Sequence, residues 1–308
     1  MIEDLIESGQ YAKALELLTD TNDETVRYQR LVCLNGLENY QTLKREGEIA
    51  KSQASSTYYE VLALYLNALK MTEEFEDAIN ILIEELSMPY IPTQYESLFN
   101  MVYDDILYAK QEANQLVEHG HQTIYSVEEI GALLNREDVN EDLLYMVLDQ
   151  LQDLNVRRLI PDIRRYLKDE TKPPFAKTLL MEIMIEQQIS EEFEVVKYGS
   201  TYYFDPGYAP LVLEQLCYEG ITRHLQRVLE DSNPTLMMQC IEYLEYILYA
   251  AYPREFYEED YALIAATIHY YVATLQLIDM DEQDLMIDYN VTLEEVEEMT
   301  QMLKKFEN

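Results

Sequence analysis

Metal or nucleophile chemistry would have to start from histidine, cysteine or close-set carboxylates. The chain offers few of the first two, with four His and three Cys in 308 residues. His119 and His121 flank Gly120 beside Glu118. Two imidazoles and a carboxylate are ligand types for a metal, but spacing places no further partner to close the shell, so this stretch reads as a solvated linker. His224 and His269 stand alone on helical stretches, and His269, in an apolar run, is expected to find a hydrogen-bond partner in the core. Cys33, Cys217 and Cys240 are widely spaced in apolar contexts, which predicts buried thiols in a reducing compartment. The runs Glu182–Glu186 and Glu294–Glu298 read as solvated helix faces, because a carboxylate needs a cleft before its pKa moves. No Gly-rich phosphate loop follows a strand, and neither GxSxG nor HExxH occurs. The expectation is a non-enzyme with no catalytic residue, no cofactor and no metal.

Two further clusters carry charge in a pattern. Arg157, Arg158, Arg164, Arg165, Lys168, Lys172 and Lys177 gather in one basic stretch. They read either as ion pairs with Asp162, Asp169 and Glu170 along a helix face or as an anchor for an acidic partner or another acidic copy of the chain. At the other end, DLMIDYNVTLEEVEEMTQML (284–303) resembles a helix-turn-helix: Asn290 stands where that family has its turn glycine, Val291 and Val296 are inner apolar positions, and Thr292 caps the second helix. Met286 replaces the usual small residue. The groove-facing positions would be Glu294, Glu295, Glu297 and Glu298, and four carboxylates oppose phosphate contact. The segment is therefore expected to cap the fold and not to read DNA.

The whole-chain balance points the same way. There are 59 acidic and 22 basic residues, for a formal net charge of −37. Such a surface repels nucleic acid and anionic membranes and attracts basic partners, although solubility alone would also favour it. Apolar residues make up 48%, enough to fold. With 8 Gly and 9 Pro, turns must be few and short. The opening MIEDLIESGQY has no apolar leader, and the run 263–278 is too short and mixed to span a bilayer. A cytoplasmic protein is expected.

The elements that would present these residues are helices. TYYEVLALYLNALK (57–70) carries Tyr59, Leu62, Leu66 and Leu69 at helical spacing, and a second helix with Phe75, Ala78, Ile79, Leu82 and Leu86 follows before Pro89. Neither can bury its faces alone, so the pair predicts a hairpin stacked between similar hairpins. Gly9, Tyr11 and Ala14 show a glycine, an aromatic and a small residue at the spacing that Phe75 and Ala78 repeat; Tyr40 recurs between them with Leu43 in the small position. Tyr11 to Tyr40 is 29 residues and Tyr40 to Phe75 is 35, bracketing a period of about 34. Over the first hundred residues the chain resembles a tetratricopeptide repeat (TPR). IPDIRRYLKDETKPPFAKTLLMEIM (160–184) resembles a HEAT repeat, with Pro161 early in the first helix, Asp169 closing it, and Phe175, Leu179, Leu180 and Ile183 on the second. FEVVKYGSTYYFDP (193–206) is the one hairpin signal, predicting strands Val195–Tyr198 and Thr201–Phe204 about a Gly199-Ser200 turn. Helices are expected at Pro92–Lys110, Tyr208–Cys217, Ile221–Leu229, Pro234–Tyr252, Phe256–Leu277 and Leu293–Phe306. Leu236, Met237, Cys240, Leu244, Ile247 and Leu248 should form the core stripe of Pro234–Tyr252. Tyr243, Tyr246 and Tyr249 lie off it, as a binding row or a second buried face.

These readings predict an all-α, helical-hairpin (TPR/HEAT-like) superhelical solenoid with one small β-hairpin. Its parts would be 1–118 (TPR-like), 119–192 (HEAT-like), 193–207 (β-hairpin) and 208–308 (C-terminal helices with the cap). The function they imply is a non-enzymatic protein–protein interaction scaffold. The TPR resemblance places groove positions at Glu60, Ala63, Asn67 and Lys70, too little positive charge to clamp a carboxylate. The partner expected is a basic, extended protein segment on an acidic concave face, with Tyr243 and Tyr246 as further contacts. A regulator using the C-terminal helix-turn-helix-like segment is the alternative, ahead of an enzyme.

Overall fold

The structure, a computed structural model, describes residues 2–19, 22–115, 125–136, 139–278, 280 and 282–307. Helix accounts for 72% of the chain, and among the described residues one two-stranded sheet interrupts it. The protein is an all-α, hairpin-built fold with one small β-hairpin. It divides into two compact units, Met1–Ile124 with Asp153–Arg157, and Tyr125–Gln152 with Arg158–Asn308.

The first unit runs α1 (Ile2–Glu7), α2 (Tyr11–Leu17), α3 (Glu24–Gly36), α4 (Tyr40–Gln53), α5 (Tyr58–Met71), α6 (Phe75–Ser87) and α7 (Thr93–Gln115). Three of its turns are built alike. Gly9, Glu38 and Glu73 take left-handed φ of 72°, 55° and 61°. In each turn the next residue's N–H reaches the carbonyl five positions back: Gln10 to Leu5, Asn39 to Leu34, Glu74 to Leu69. This closure satisfies carbonyls the ended helix leaves over and reverses the chain. Tyr11, Tyr40 and Phe75 then open the second helix of each pair.

The small residue of those second helices is Ala14 in α2 and Ala78 in α6, both wholly buried. Leu43 of α4 is buried in that position too, and the close approach has moved one turn along, to Gly47. A Cβ built on Gly47 would sit 3.1 Å from the Tyr65 ring of α5. Helix α5 is the centre of the unit: Leu62, Leu66 and Leu69 join the core with α6 and α7, while Val61 and Ala68 join the one with α3 and α4. Burial on both sides is why its sequence is apolar nearly all round.

The second unit runs α8 (Val127–Leu134), α9 (Glu141–Leu151), α10 (Ile160–Lys168), α11 (Pro174–Glu186), β1 (Phe193–Lys197), β2 (Ser200–Phe204), α12 (Leu216–Leu229), α13 (Pro234–Ala251), α14 (Tyr261–Leu275), α15 (Glu282–Tyr289) and α16 (Leu293–Leu303). Pro161 and Pro174 stand in the first turns of α10 and α11, where a missing N–H costs nothing, and Asp169 ends α10. The strands pair antiparallel with Val195 opposite Tyr202 and Lys197 opposite Ser200. The turn is therefore Tyr198-Gly199, one residue earlier than its composition suggested. Both take positive φ, 49° and 73°, the twist a two-residue hairpin needs. Tyr198 accepts that backbone while its ring packs edge-on against Phe306.

Two expected helices are corrected. Of the expected helix Tyr208–Cys217, residues 208–215 are not helical beyond a short 3-10 turn at Val212–Glu214, and only Leu216 and Cys217 belong to a helix. Asp205 and Gly207 make a turn in which Tyr208 and Ala209 bond the Asp205 carbonyl, Pro210 disfavours helix at Ala209, and α12 starts only at Leu216. Phe256–Leu277 shortens to α14 after a 3-10 turn at Glu258–Asp260.

Candidate functional site

Within the first unit α5 lies between α3 and α7. Glu60, Ala63, Asn67 and Lys70 follow one another by three, four and three residues and so share a face of α5. All four are partly exposed, and each polar one reaches a flanking helix. Asn67 Nδ2 donates to Asn35 Oδ1 of α3 at 2.7 Å. Tyr95 of α7 donates its hydroxyl to Glu60 Oε1 at 2.6 Å. Lys70 Nζ stands 3.9 Å from Asp105 Oδ2 of α7. These four residues share one face of α5, flanked by Asn35 of α3 and by Tyr95 and Asp105 of α7. Tyr95 is stacked on Tyr59 with ring centroids 4.6 Å apart, which fixes its ring. The one ammonium on this face stands near a carboxylate, so among the described residues the face lacks the paired cations that holding a terminal carboxylate requires.

The basic stretch 157–177 does not form one surface. Within the second unit Arg158 faces Glu128, Arg164 pairs with Glu191, Arg165 with Asp162 and Lys168 with Glu194. Lys172 and Lys177 are buried and donate to main-chain carbonyls, Lys172 to Arg136 and Lys177 to Asp169 and Val196. Arg157 belongs to the first unit, where burial holds its pKa down to about 10. An acidic partner would find no basic platform in these residues.

The tyrosines of α13 have intramolecular work. Tyr243 donates to Glu307 Oε1 at 2.7 Å and Tyr246 to the Phe306 carbonyl at 3.4 Å, and their rings stack 6.5 Å apart. Tyr249 stacks on Phe175 at 5.4 Å. The row holds the C-terminal turn 304–306, leaving Tyr246 42% exposed. His269 has the core partner expected of it, the Tyr289 hydroxyl at 3.0 Å from Nδ1, and Cys33, Cys217 and Cys240 are buried free thiols. The run Glu182–Glu186 is not simply a solvated face. Burial raises the pKa of Glu182, which accepts from the Val212 N–H at 3.0 Å.

Helices α15 and α16 are joined by a short turn with Asn290 at a left-handed φ of 58°. Glu295 closes a capping box with Thr292, so this glutamate secures the helix start. Glu294, Glu297 and Glu298 line a hollow beside Tyr270. His119, Gly120 and His121 lie outside the described residues, as does Glu118. Among the described residues no group of three or more His, Cys, Asp and Glu is placed to hold a metal ion, and no helix is long and apolar enough to cross a membrane.

Sequence reasoning missed the buried Lys177 and Lys197, hidden by their residue type, and the free strand edge of the hairpin. The turn at Tyr198-Gly199 could have found the second, since it decides which main-chain groups face outward.

No family model matches the chain, and no solved structure matches it. Over 309 aligned residues it is 21% identical to "TPR repeat-containing protein YsoA" of Bacillus subtilis (strain 168), an alignment covering 98% of this chain and 90% of that one. With three hairpins closed by one repeated turn and each reopened by an aromatic, the chain is TPR-like in both sequence and structure.

Proposed function

We propose that the protein is a non-enzymatic interaction scaffold whose α5 face, between α3 and α7, holds a basic, extended segment of a partner protein. The observation that carries this reading is the make-up of that face. Glu60, Ala63, Asn67 and Lys70 form a half-open stripe flanked by Tyr95 and Asp105, in which the one cation, Lys70, is drawn toward Asp105 and the Glu60 carboxylate remains as an acceptor. A net charge of −37 attracts cationic segments over a distance. The side-chain amides of Asn67 and Asn35 can exchange their mutual bond for bonds to an extended main chain. The relative's name, a TPR repeat-containing protein, supports a protein or peptide as the ligand class. Tyr246 offers a separate aromatic contact in the second unit. A cytoplasmic setting fits the three free thiols.

The test is a fluorescence titration with a lysine-rich extended peptide and its glutamate counterpart, against wild type and the double variant Glu60→Lys/Asn67→Arg. The lysine peptide should bind wild type and weaken by about tenfold in the variant, roughly the effect of charge pairs lost and reversed. Preference for the glutamate peptide, or equal binding by the variant, defeats the reading.

A further inference from the structure

The β-hairpin carries a second candidate surface, independent of the α5 face. The two-residue turn makes Lys197 and Ser200 a hydrogen-bonded pair, so Ser200, Tyr202 and Phe204 direct their main-chain groups at β1. Thr201 and Tyr203 therefore direct theirs away from it. The outward Val196 carbonyl of β1 is taken by Lys177 at 2.5 Å, and α10 packs against β1. Among the described residues no protein group bonds the outward main-chain groups of Thr201 or Tyr203. Proteins ordinarily blunt such an edge with a charge, a proline or a bulge. Ser200-Thr201-Tyr202-Tyr203-Phe204 has none of these.

The edge runs straight into a cavity of about 460 Å³ that begins at Tyr203, Phe204 and Asp205 and is walled by Tyr208, Leu216 and Phe256 among others. Its rim is conspicuously apolar and open, with Tyr203 72%, Tyr208 91% and Leu216 80% exposed. Two carboxylates, Asp205 and Glu255, line it, and no Lys, Arg or His does. Asp205 Oδ1 accepts from the Gly207 N–H at 3.0 Å, which orients the carboxylate and leaves its other oxygen for a ligand.

We propose that β2 is a docking edge for an extended segment of another protein. The segment adds as a third strand through Thr201 and Tyr203 and seats a lysine or arginine side chain in the cavity. Main-chain bonds to the edge supply affinity, and the cavity selects the side chain. Tyrosine and phenylalanine faces with two carboxylates suit a cation through both its charge and its alkyl stem. A second copy of the chain is disfavoured as occupant, since pairing β2 with β2 would bring together two molecules of charge −37.

The experiment uses the full chain and a short acetylated threonine–valine peptide with a central lysine, alongside versions with central alanine or glutamate. On binding the lysine peptide, the amides of Thr201 and Tyr203 should become protected from hydrogen exchange, while those of Ser200, Tyr202 and Phe204 are protected beforehand. The alanine peptide should bind about tenfold more weakly. Thr201→Pro removes an outward N–H that β1 does not use, as edge strands tolerate, and should abolish the protection with an unchanged circular dichroism spectrum. Asp205→Asn/Glu255→Gln, which keeps the acceptor for Gly207, should erase the preference for lysine and gives an independent reading if the proline variant does not fold. Unprotected Thr201 and Tyr203 amides, equal binding of the alanine peptide, or a dimer that Thr201→Pro dissolves would each overturn the proposal.

Discussion

Glu24 shows how one side chain can join two repeats. From the start of α3 its carboxylate accepts from the main-chain N–H of Ser55 at 2.9 Å and of Thr57 at 2.7 Å, and from the hydroxyls of Ser56 and Thr57. These donors sit at the mouth of α5, where helix N–H groups lack partners. The Thr57 main-chain bond, then that of Ser55, favours the ionised form and holds the pKa to about 2 against an ordinary 4.5. A lowered carboxylate pKa adds stability that is complete above 4.5 and lost as pH falls toward 2. Glu24→Gln should therefore lower Tm near neutrality and flatten its decline over that acid range. Thermal melts from pH 5 to 2.5 check this, and an unaltered acid limb refutes it. Lys177 works with the opposite sign. Buried between the Asp169 and Val196 carbonyls, it is pushed by desolvation from 10.5 to about 8, with Asp169 and Glu170 opposing more weakly. Between pH 8 and 10.5 the unfolded chain holds a proton that the folded one has released, so this group's penalty fades as pH rises. Wild type should gain on Lys177→Met by up to about 3 kcal/mol across that window, at 1.36 kcal/mol per pKa unit. Urea midpoints at pH 7.5 and 10 measure the difference, and a constant gap would show the ammonium to be well solvated.

At the scale of the element, the repeated turn explains both what the sequence showed and what it hid. Gly9 is readable as a turn residue, whereas Glu38 and Glu73 are not, because glutamate has no preference for left-handed backbone; the helices around them impose it. Holding a non-glycine residue there costs about 1–2 kcal/mol, against about 0.5–1 kcal/mol of extra chain entropy for glycine. Glu73→Gly should thus stabilise the first unit by roughly 0.5 kcal/mol, and Gly9→Glu should destabilise it. Chemical denaturation distinguishes them, and a loss of stability in Glu73→Gly would mean that its side chain contributes more than the backbone strain. The hairpins α5–α6 and α10–α11 were legible because apolar spacing, an aromatic opening and first-turn prolines agreed locally, whereas of α3–α4 only Tyr40 and Leu43 were readable. The candidate stripe of α5 was legible only through the TPR resemblance; its flanking partners Asn35, Tyr95 and Asp105 come from other helices and no spacing linked them. Of the two readings of the basic stretch the structure favours ion pairing, though sequence proximity named only one of the acids, Asp162, and could not foresee burial. Lys172 and Lys177 turn inward, and each remaining arginine or lysine of the second unit in that stretch finds an acid. The apolar content of Tyr208–Cys217 suggests a helix that Pro206 and Pro210 forbid.

Over the whole molecule the dominant quantity is charge, 59 acidic against 22 basic residues. Ion pairs such as Arg30–Glu46 at 2.8 Å and Lys44–Glu74 at 2.5 Å use up cations and leave most carboxylates unmatched. Like charges crowded by folding repel, and salt screens that repulsion beyond about 8 Å at physiological ionic strength. Added sodium chloride should therefore raise Tm. The same screening acts against capture of a cationic segment, whose approach is accelerated by the long-range field while its residence depends on short-range aromatic and main-chain contacts. For a lysine-rich peptide, kon should fall by about tenfold between low and high salt, and koff should change much less. The two effects have opposite signs in a single solvent variable, and both come from one excess of carboxylates. Differential scanning fluorimetry and stopped-flow mixing over the same salt series measure them together. Salt-independent kon with a rising Tm would confine the acidic surface to solubility, and a falling Tm would mean that the ion pairs outweigh the repulsion.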